Sequence, residues 1–207
     1  AVIRHFREFA AYEADARMAQ WSFRKPRSRA DFAVGVMGLG VLGERVAQAL
    51  RVFEFPVNGY SRSPKQIDGV RCFTGREQLS DFLRASRVLV NLMPLTPETE
   101  NLLNRETLSQ LQTGGYLINV ARGRHLVDED LIALIDSGHL AGATLDVFRT
   151  EPLPSGHPFW RHPHITVTPH SSARTMREQS IAQIARKIQA LQRGEPVRGV
   201  VDARRGY

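Results

Sequence analysis

Cys72 is the only cysteine in the 207 residues, so no intrachain disulfide can form. The chain therefore suits a reducing compartment, and the cytoplasm is its expected location. No apolar run approaches the roughly 20 residues of a membrane helix, and no membrane association is expected. There is no zinc-ligand spacing, no internal repeat and no low-complexity segment. Aromatics interleaved with Lys and Arg are missing as well. The positive residues behind the net charge of +7 are spread along the chain and mixed with acids. Binding to nucleic acid is not expected on that distribution.

A starting Met is also lacking. The chain opens inside AVIRHFREFAAYEADARMAQW and reads as a cut or processed sequence. Glu8, Glu13 and Asp15 argue against a transit peptide, because such peptides are poor in acids. Spacings of four and three place Val2, Phe6 and Phe9 on one face, which predicts a helix burying all three.

What is present is a regular alternation. After a polar connector, Arg24 to Phe32, the segments FAVGVMG, FPVNGY, GVRCF, RVLVNLM, GYLINVA, AGATLDVF and HITVTPH read as strands. Between and after them, VLGERVAQALRVF, REQLSDFLRAS, NRETLSQLQ, DEDLIALIDSG and REQSIAQIARKIQALQRG read as helices. Such alternation predicts an α/β fold, a doubly wound parallel sheet covered on both faces. The connector near Pro26 and the turn near Ser172 are the candidate boundaries.

VGVMGLGVLGERVAQAL carries Gly38, Gly40 and Gly43 in GxGxxG spacing, after a strand and opening a helix. The first glycine permits the tight turn, the second lets the backbone approach a pyrophosphate, and the third lets helix and strand pack closely. Val41 and Leu42, between the last two, join the candidate cofactor-binding residues. The pyrophosphate would sit at the helix N-terminus. About 20 residues on, the second strand should meet the adenosine ribose, where an acid marks an NAD site. Here GYSRSPK offers Ser61, Arg62 and Ser63 and no acid. Hydroxyls and a guanidinium suit the 2′-phosphate of NADP(H), the preferred cofactor. NAD(H), with the ribose held in another way, is the alternative.

Three later strand ends bring chemistry to the rim where ligands bind. INVARGRHLVDEDLI carries Arg122, LDVFRTEPLP carries Asp146 and Glu151, and ITVTPHSSA carries His170. Far apart in sequence, they can converge at the carboxyl ends of a parallel sheet.

The whole chain resembles the NAD(P)-dependent D-isomer-specific 2-hydroxyacid dehydrogenases, nearest to their bacterial glyoxylate/hydroxypyruvate reductase A group. The matching stretches are GLGVLGERVAQAL, GREQLSDFLRASRVLVNLMPLTPET, LINVARGRHLVDEDLIALIDSGHLAGATLDVF, EPLP, TPH and the terminal VDARRGY. The resemblance implies a Rossmann-type cofactor domain over 26–172, a connecting helix over 1–25, and a C-terminal helix and tail over 173–207. That helix would return to a substrate domain that is largely missing. It also implies reduction of small 2-oxo acids, glyoxylate and hydroxypyruvate, by a homodimer. Arg122 would bind substrate, Glu151 would partner the histidine, and His170 would be the acid/base. Asp146 would hold the nicotinamide carboxamide, Val120 and Ala121 would line the nicotinamide, and Pro94 would lie near the adenosine. Ser172 departs from the Ala or Gly usual two places past the histidine. Another substrate, or a non-catalytic nucleotide-sensing role on the same fold, are the competing readings.

Overall fold

A computed structural model describes residues 1–173, 176–197 and 199–200. The terminal VDARRGY, residues 201–207, lies outside the described residues. The chain divides into two compact units, Ala1–Pro169 and His170–Tyr207.

The first unit contains helices α1 (Val2–Phe6), α2 (Phe9–Arg17), α3 (Val41–Val52), α4 (Leu79–Arg84), α5 (Arg105–Leu108) and α6 (Asp128–Asp136). Its strands are β1 (Val34–Met37), β2 (Val57–Ser61), β3 (Val70–Thr74), β4 (Val88–Asn91), β5 (Gly115–Asn119), β6 (Leu140–Leu145) and β7 (Ile165–Val167). They form one sheet in the order β3-β2-β1-β4-β5-β6-β7, with every neighbouring pair parallel. This is the expected doubly wound α/β sheet. Alternate residues of the strands supply two cores. Val34, Val36, Val88, Val90 and Ile118 pack with Ala47 and Leu50 of α3. Met37, Leu89 and Leu117 pack with Phe82 and Leu83 of α4 and Leu131 and Leu134 of α6. A strand sends successive side chains to opposite faces, so a run apolar throughout is what a doubly covered sheet requires. The order reverses between β1 and β4, which places a ligand crevice at the carboxyl ends of these strands.

Two local expectations need correction. The opening segment is not one helix. Val2 and Phe6 are buried, and the Phe6 ring meets Phe32 at 5.0 Å and Phe55 at 5.1 Å edge-on. Phe9, however, is 49% exposed. Glu8 between the two short helices takes a left-handed backbone, φ 56° and ψ 34°, which breaks the 3.6-residue register. Arg27 holds this bend by donating to His5 O at 3.3 Å and pairing with Glu8 at 3.1 Å. The helix also stops at Arg17, well short of residue 25. In NRETLSQLQ only Arg105–Leu108 is α-helical. There the Ser109 hydroxyl and the Gln110 amide donate to Glu106 O, and such local bonds compete with helix propagation.

The second unit holds α7 (Arg177–Gln192). It leaves Ile181, Ile184, Ile188 and Leu191 exposed at helical spacing. Among the described residues, no helix is long and apolar enough to cross a membrane, and no cluster could hold a metal ion.

Candidate functional site

The glycine turn joins β1 to α3, and each glycine meets a different constraint. Gly38 has φ +102°, and a Cβ there would lie 2.8 Å from the backbone of Leu92 and Met93. A Cβ on Gly43 would lie 1.9 Å from Gly38 O. Gly40 has ordinary extended backbone and nothing within 4 Å of where its Cβ would stand. The first and third positions are therefore closed by the protein itself, while the second faces open space. Gly40 is also the N-cap of α3, where no side chain caps the helix. The first bond of this turn is Glu44 N to Gly40 O at 2.9 Å. The N–H groups of Val41, Leu42 and Gly43 precede it and are oriented for an anion at a positive helix end. Val41 and Leu42 are exposed, at 74% and 61%.

The end of β2 lies next to this turn, because Met37 pairs with Tyr60. Ser61 is nearly buried, and its hydroxyl donates to Ser63 O at 2.7 Å. Its proton closes the turn, which leaves Arg62 and Ser63 as the exposed groups. Arg76 is a neighbour that the sequence reading missed. Ser61 pairs with Thr74, and Gly75 N donates to Ser61 O at 3.3 Å, so Arg76 emerges on the rim that carries Arg62. Glu98 faces the same corner. The Thr96 hydroxyl, then its own backbone N–H, then the charges of Arg76 and Arg62 hold its carboxyl below the usual carboxylate range.

Across the switch point, β4 and β5 end in paired asparagines, Asn91 and Asn119, both fully buried. Asn119 Oδ1 accepts from Ala121 N at 3.2 Å, and its Nδ2 donates to Arg122 O at 3.1 Å. This fixes Val120, Ala121 and Arg122 just beyond the strand. The Arg122 side chain is exposed and donates to Ala121 O at 2.7 Å. Pro94, past β4, is exposed, and its carbonyl accepts from the Thr99 hydroxyl at 2.8 Å.

Asp146, one residue past β6, is 1% exposed and accepts from the Thr168 hydroxyl at 2.5 Å. Glu151 is exposed, and its Oε1 accepts from Phe148 N at 2.9 Å. The Glu151 loop abuts the Arg122 loop. A Cβ on Gly123 would lie 1.9 Å from Phe148 C, and Arg149 donates to Leu126 O through Nε at 2.9 Å and a terminal nitrogen at 2.7 Å. The first unit thus gathers Gly38 to Gly43, Ser61 to Ser63, Pro94, Val120 to Arg122, Asp146 and Glu151 on strand ends and the loops that follow them. His170 opens the second unit, exposed and with a left-handed backbone, φ 49°.

Residues 1–172 match the family model for the D-isomer specific 2-hydroxyacid dehydrogenase NAD binding domain. A glyoxylate/hydroxypyruvate reductase A of Serratia proteamaculans is 50% identical over 206 residues, which cover 100% of this chain and 66% of that protein. Its counterpart in Yersinia enterocolitica is 46% identical with the same coverage. The chain therefore spans 66% of the length of these curated relatives. A D-isomer specific 2-hydroxyacid dehydrogenase from Xanthobacter autotrophicus Py2, solved in complex with NADPH and MES, matches with a TM-score of 0.95 and 45% identity over 100% of this chain and 85% of that one. An NADPH-dependent glyoxylate/hydroxypyruvate reductase from Sinorhizobium meliloti, solved with NADP and sulfate, gives a TM-score of 0.95 and 37% identity over 99% of this chain and 66% of that one.

Proposed function

The chain belongs to the D-isomer specific 2-hydroxyacid dehydrogenase family, and from that premise we propose that it is the cofactor-binding part of an NADP(H)-dependent reductase of small 2-oxo acids, glyoxylate and hydroxypyruvate. The observation that carries this reading is the pairing of an uncapped α3 N-terminus, open at Gly40, with a β2 end that offers Arg62 and Ser63 in place of an acid. The N–H groups of Val41 to Gly43 receive the pyrophosphate. Arg62 and Ser63 bind the 2′-phosphate directly, and Ser61 shapes the turn that presents them. Pro94 borders the adenosine, Val120 and Ala121 line the nicotinamide, and Asp146 accepts from its carboxamide.

NADPH, when bound, supplies the hydride that the substrate's carbonyl carbon takes up. Arg122 holds the substrate carboxylate and polarises the carbonyl, which favours the negative charge growing on oxygen. His170 donates the proton to that oxygen. The exposed stripe of α7, Ile181 to Leu191, is the surface a substrate domain would cover. Ile3, Tyr12, Trp21 and Phe23, also exposed, supply the apolar surface of a homodimer. Half-buried, unpaired Cys72 suits the cytoplasm, where we place the protein. The test is a titration of this chain with NADPH and NADH, followed by glyoxylate-dependent oxidation of NADPH by the full-length protein. Preference for NADH, or no turnover of glyoxylate or hydroxypyruvate, would defeat the proposal.

A further inference from the structure

His125 is a fully buried, titratable side chain to which the reaction above gives no task. It lies in the 3-10 turn Gly123–His125, and both its ring nitrogens face polar atoms on the switch-point rim. Nδ1 stands 3.0 Å from Asn91 Nδ2 and 3.1 Å from Arg122 O, while Nε2 stands 3.2 Å from Pro94 O.

The proton's position follows from the neighbours. Backbone amides fix both asparagines. Met93 N donates to Asn91 Oδ1 at 3.2 Å, and Ala121 N donates to Asn119 Oδ1 at 3.2 Å. The group that Asn91 turns to the imidazole is therefore its NH2. One of its hydrogens goes to Asn119 Oδ1 at 3.1 Å, and the other points at His125 Nδ1. A ring with its proton on Nε2 accepts from Asn91 and donates to Pro94 O. A ring with its proton on Nδ1 would satisfy Arg122 O alone, while its Nε2 lone pair would face the Pro94 carbonyl. Arg122 O does not need that bond, since it already accepts from Asn119 Nδ2 at 3.1 Å and His125 N at 3.3 Å. A buried polar network of this kind is stable only when every member is matched, and the Nε2–H form matches the most.

We propose that His125, as the neutral Nε2–H tautomer, is a positioning residue for the reaction: with Asn91 and Asn119 it ties the loop after β4, which carries Pro94, to the loop after β5, which carries Val120, Ala121 and Arg122. The positioning role rests on the dehydrogenase reading above, and the tautomer does not. Desolvation also lowers the pKa of this ring from its ordinary value, which keeps it neutral near physiological pH. The cross-tie acts where it matters chemically. One of the two loops lies against the adenosine, and the other presents the carboxylate-binding guanidinium and the nicotinamide lining, so their spacing sets the reach of Arg122 to a bound substrate. A misplacement on the order of 1 Å costs roughly 10²-fold in rate.

Two measurements test this. In the histidine-labelled chain near neutral pH, the ¹⁵N NMR pattern of His125 should show a protonated Nε2 and a bare Nδ1. A Nδ1–H tautomer or an imidazolium would overturn the proposal whatever the enzyme's activity. In the full-length protein, His125→Leu should lower kcat/KM for glyoxylate by roughly 10²-fold, with a raised glyoxylate KM, while the Kd for NADPH changes by less than about threefold. His125→Gln, which restores a donor toward Pro94 O, should recover most of the loss. A drop in kcat alone, with KM unchanged, would indicate a smaller folded fraction and overturn the positioning role, as would wild-type kinetics in His125→Leu. If His125→Leu does not fold, the glutamine variant and the tautomer decide. A wild-type protein that turns over neither 2-oxo acid would instead sink the dehydrogenase reading and leave the tautomer result standing.

Discussion

The glycine turn makes a prediction that separates folding from binding. Gly40→Ala puts a methyl group into a space where nothing lies within 4 Å, on a backbone with φ −77° that alanine adopts freely. Alanine is a poorer N-cap than glycine, but it also restricts the unfolded chain. The two effects oppose each other and leave stability within about 1 kcal/mol. Gly43→Ala is different. Its Cβ would stand 1.9 Å from Gly38 O, a backbone atom that cannot rotate aside. Helix α3 would have to retreat by about 1 Å, at the upper end of the roughly 1–3 kcal/mol typical of overpacking. For a chain of this size that is a fall of about 6–12 °C in Tm. NADPH titration reverses the ranking for Gly40. A methyl group where the pyrophosphate meets the backbone should cost about 1–3 kcal/mol, or roughly five- to a hundredfold in Kd. Thermal melting and fluorescence titration of the two variants give both readouts. If Gly40→Ala binds NADPH as well as the parent, the open space at Gly40 is not the pyrophosphate's, and the reasoning fails.

Arg62→Ala should weaken NADPH by about ten- to a hundredfold, the worth of a charge-assisted hydrogen bond, and leave NADH nearly unchanged; equal losses in a binding titration would reject the 2′-phosphate assignment. His5, stacked on Tyr116 with ring centroids 4.1 Å apart, has its pKa lowered to about 4 by burial and by the nearby charges of Arg27 and Arg87. Unfolded, it takes up a proton near 6.5, so between these values the unfolded state binds more protons. Its contribution, at most about 3 kcal/mol, is fully present above about 6.5 and is lost as the pH falls toward 4. Urea unfolding across that window should show the slope, and His5→Phe should flatten it; identical profiles would discard the account. In the full-length protein, His170→Ala should cut turnover by about 10²–10⁴ while NADPH still binds, whereas Arg122→Ala should raise the glyoxylate KM and lower kcat together. Full activity of His170→Ala would mean another group donates the proton. Light scattering at micromolar concentration should find a dimer, and a clean monomer would remove the role given to the N-terminal segment.

Much of this was legible in the residues alone. The seven strands and their parallel pairing were expected from short strand-like runs alternating with amphipathic stretches, and the central strands are apolar on both faces because the sheet is covered on both. The glycine turn was legible because its spacing encodes backbone sterics within a few residues, and the close approaches at Gly38 and Gly43 show those sterics directly. The absence of an acid in GYSRSPK pointed to a phosphate at the end of β2. What the sequence could not supply lies between segments. Phe9 has the right spacing to be buried, yet Glu8 adopts a left-handed backbone held by Arg27, a partner 19 residues away. Arg76 reaches the rim beside Arg62 only because β3 pairs with β2 in a register that sets Thr74 against Ser61. Ser61 looked like a phosphate donor until its hydroxyl was found on Ser63 O. Asn119 and His125 lie 28 and 34 residues past Asn91 along the chain, and no periodicity marks the three as partners. Periodicity and turn chemistry are local properties that a sequence carries on its face. Which polar atoms meet across two strand ends depends on sheet register and loop closure, and those are decided only when the whole core packs.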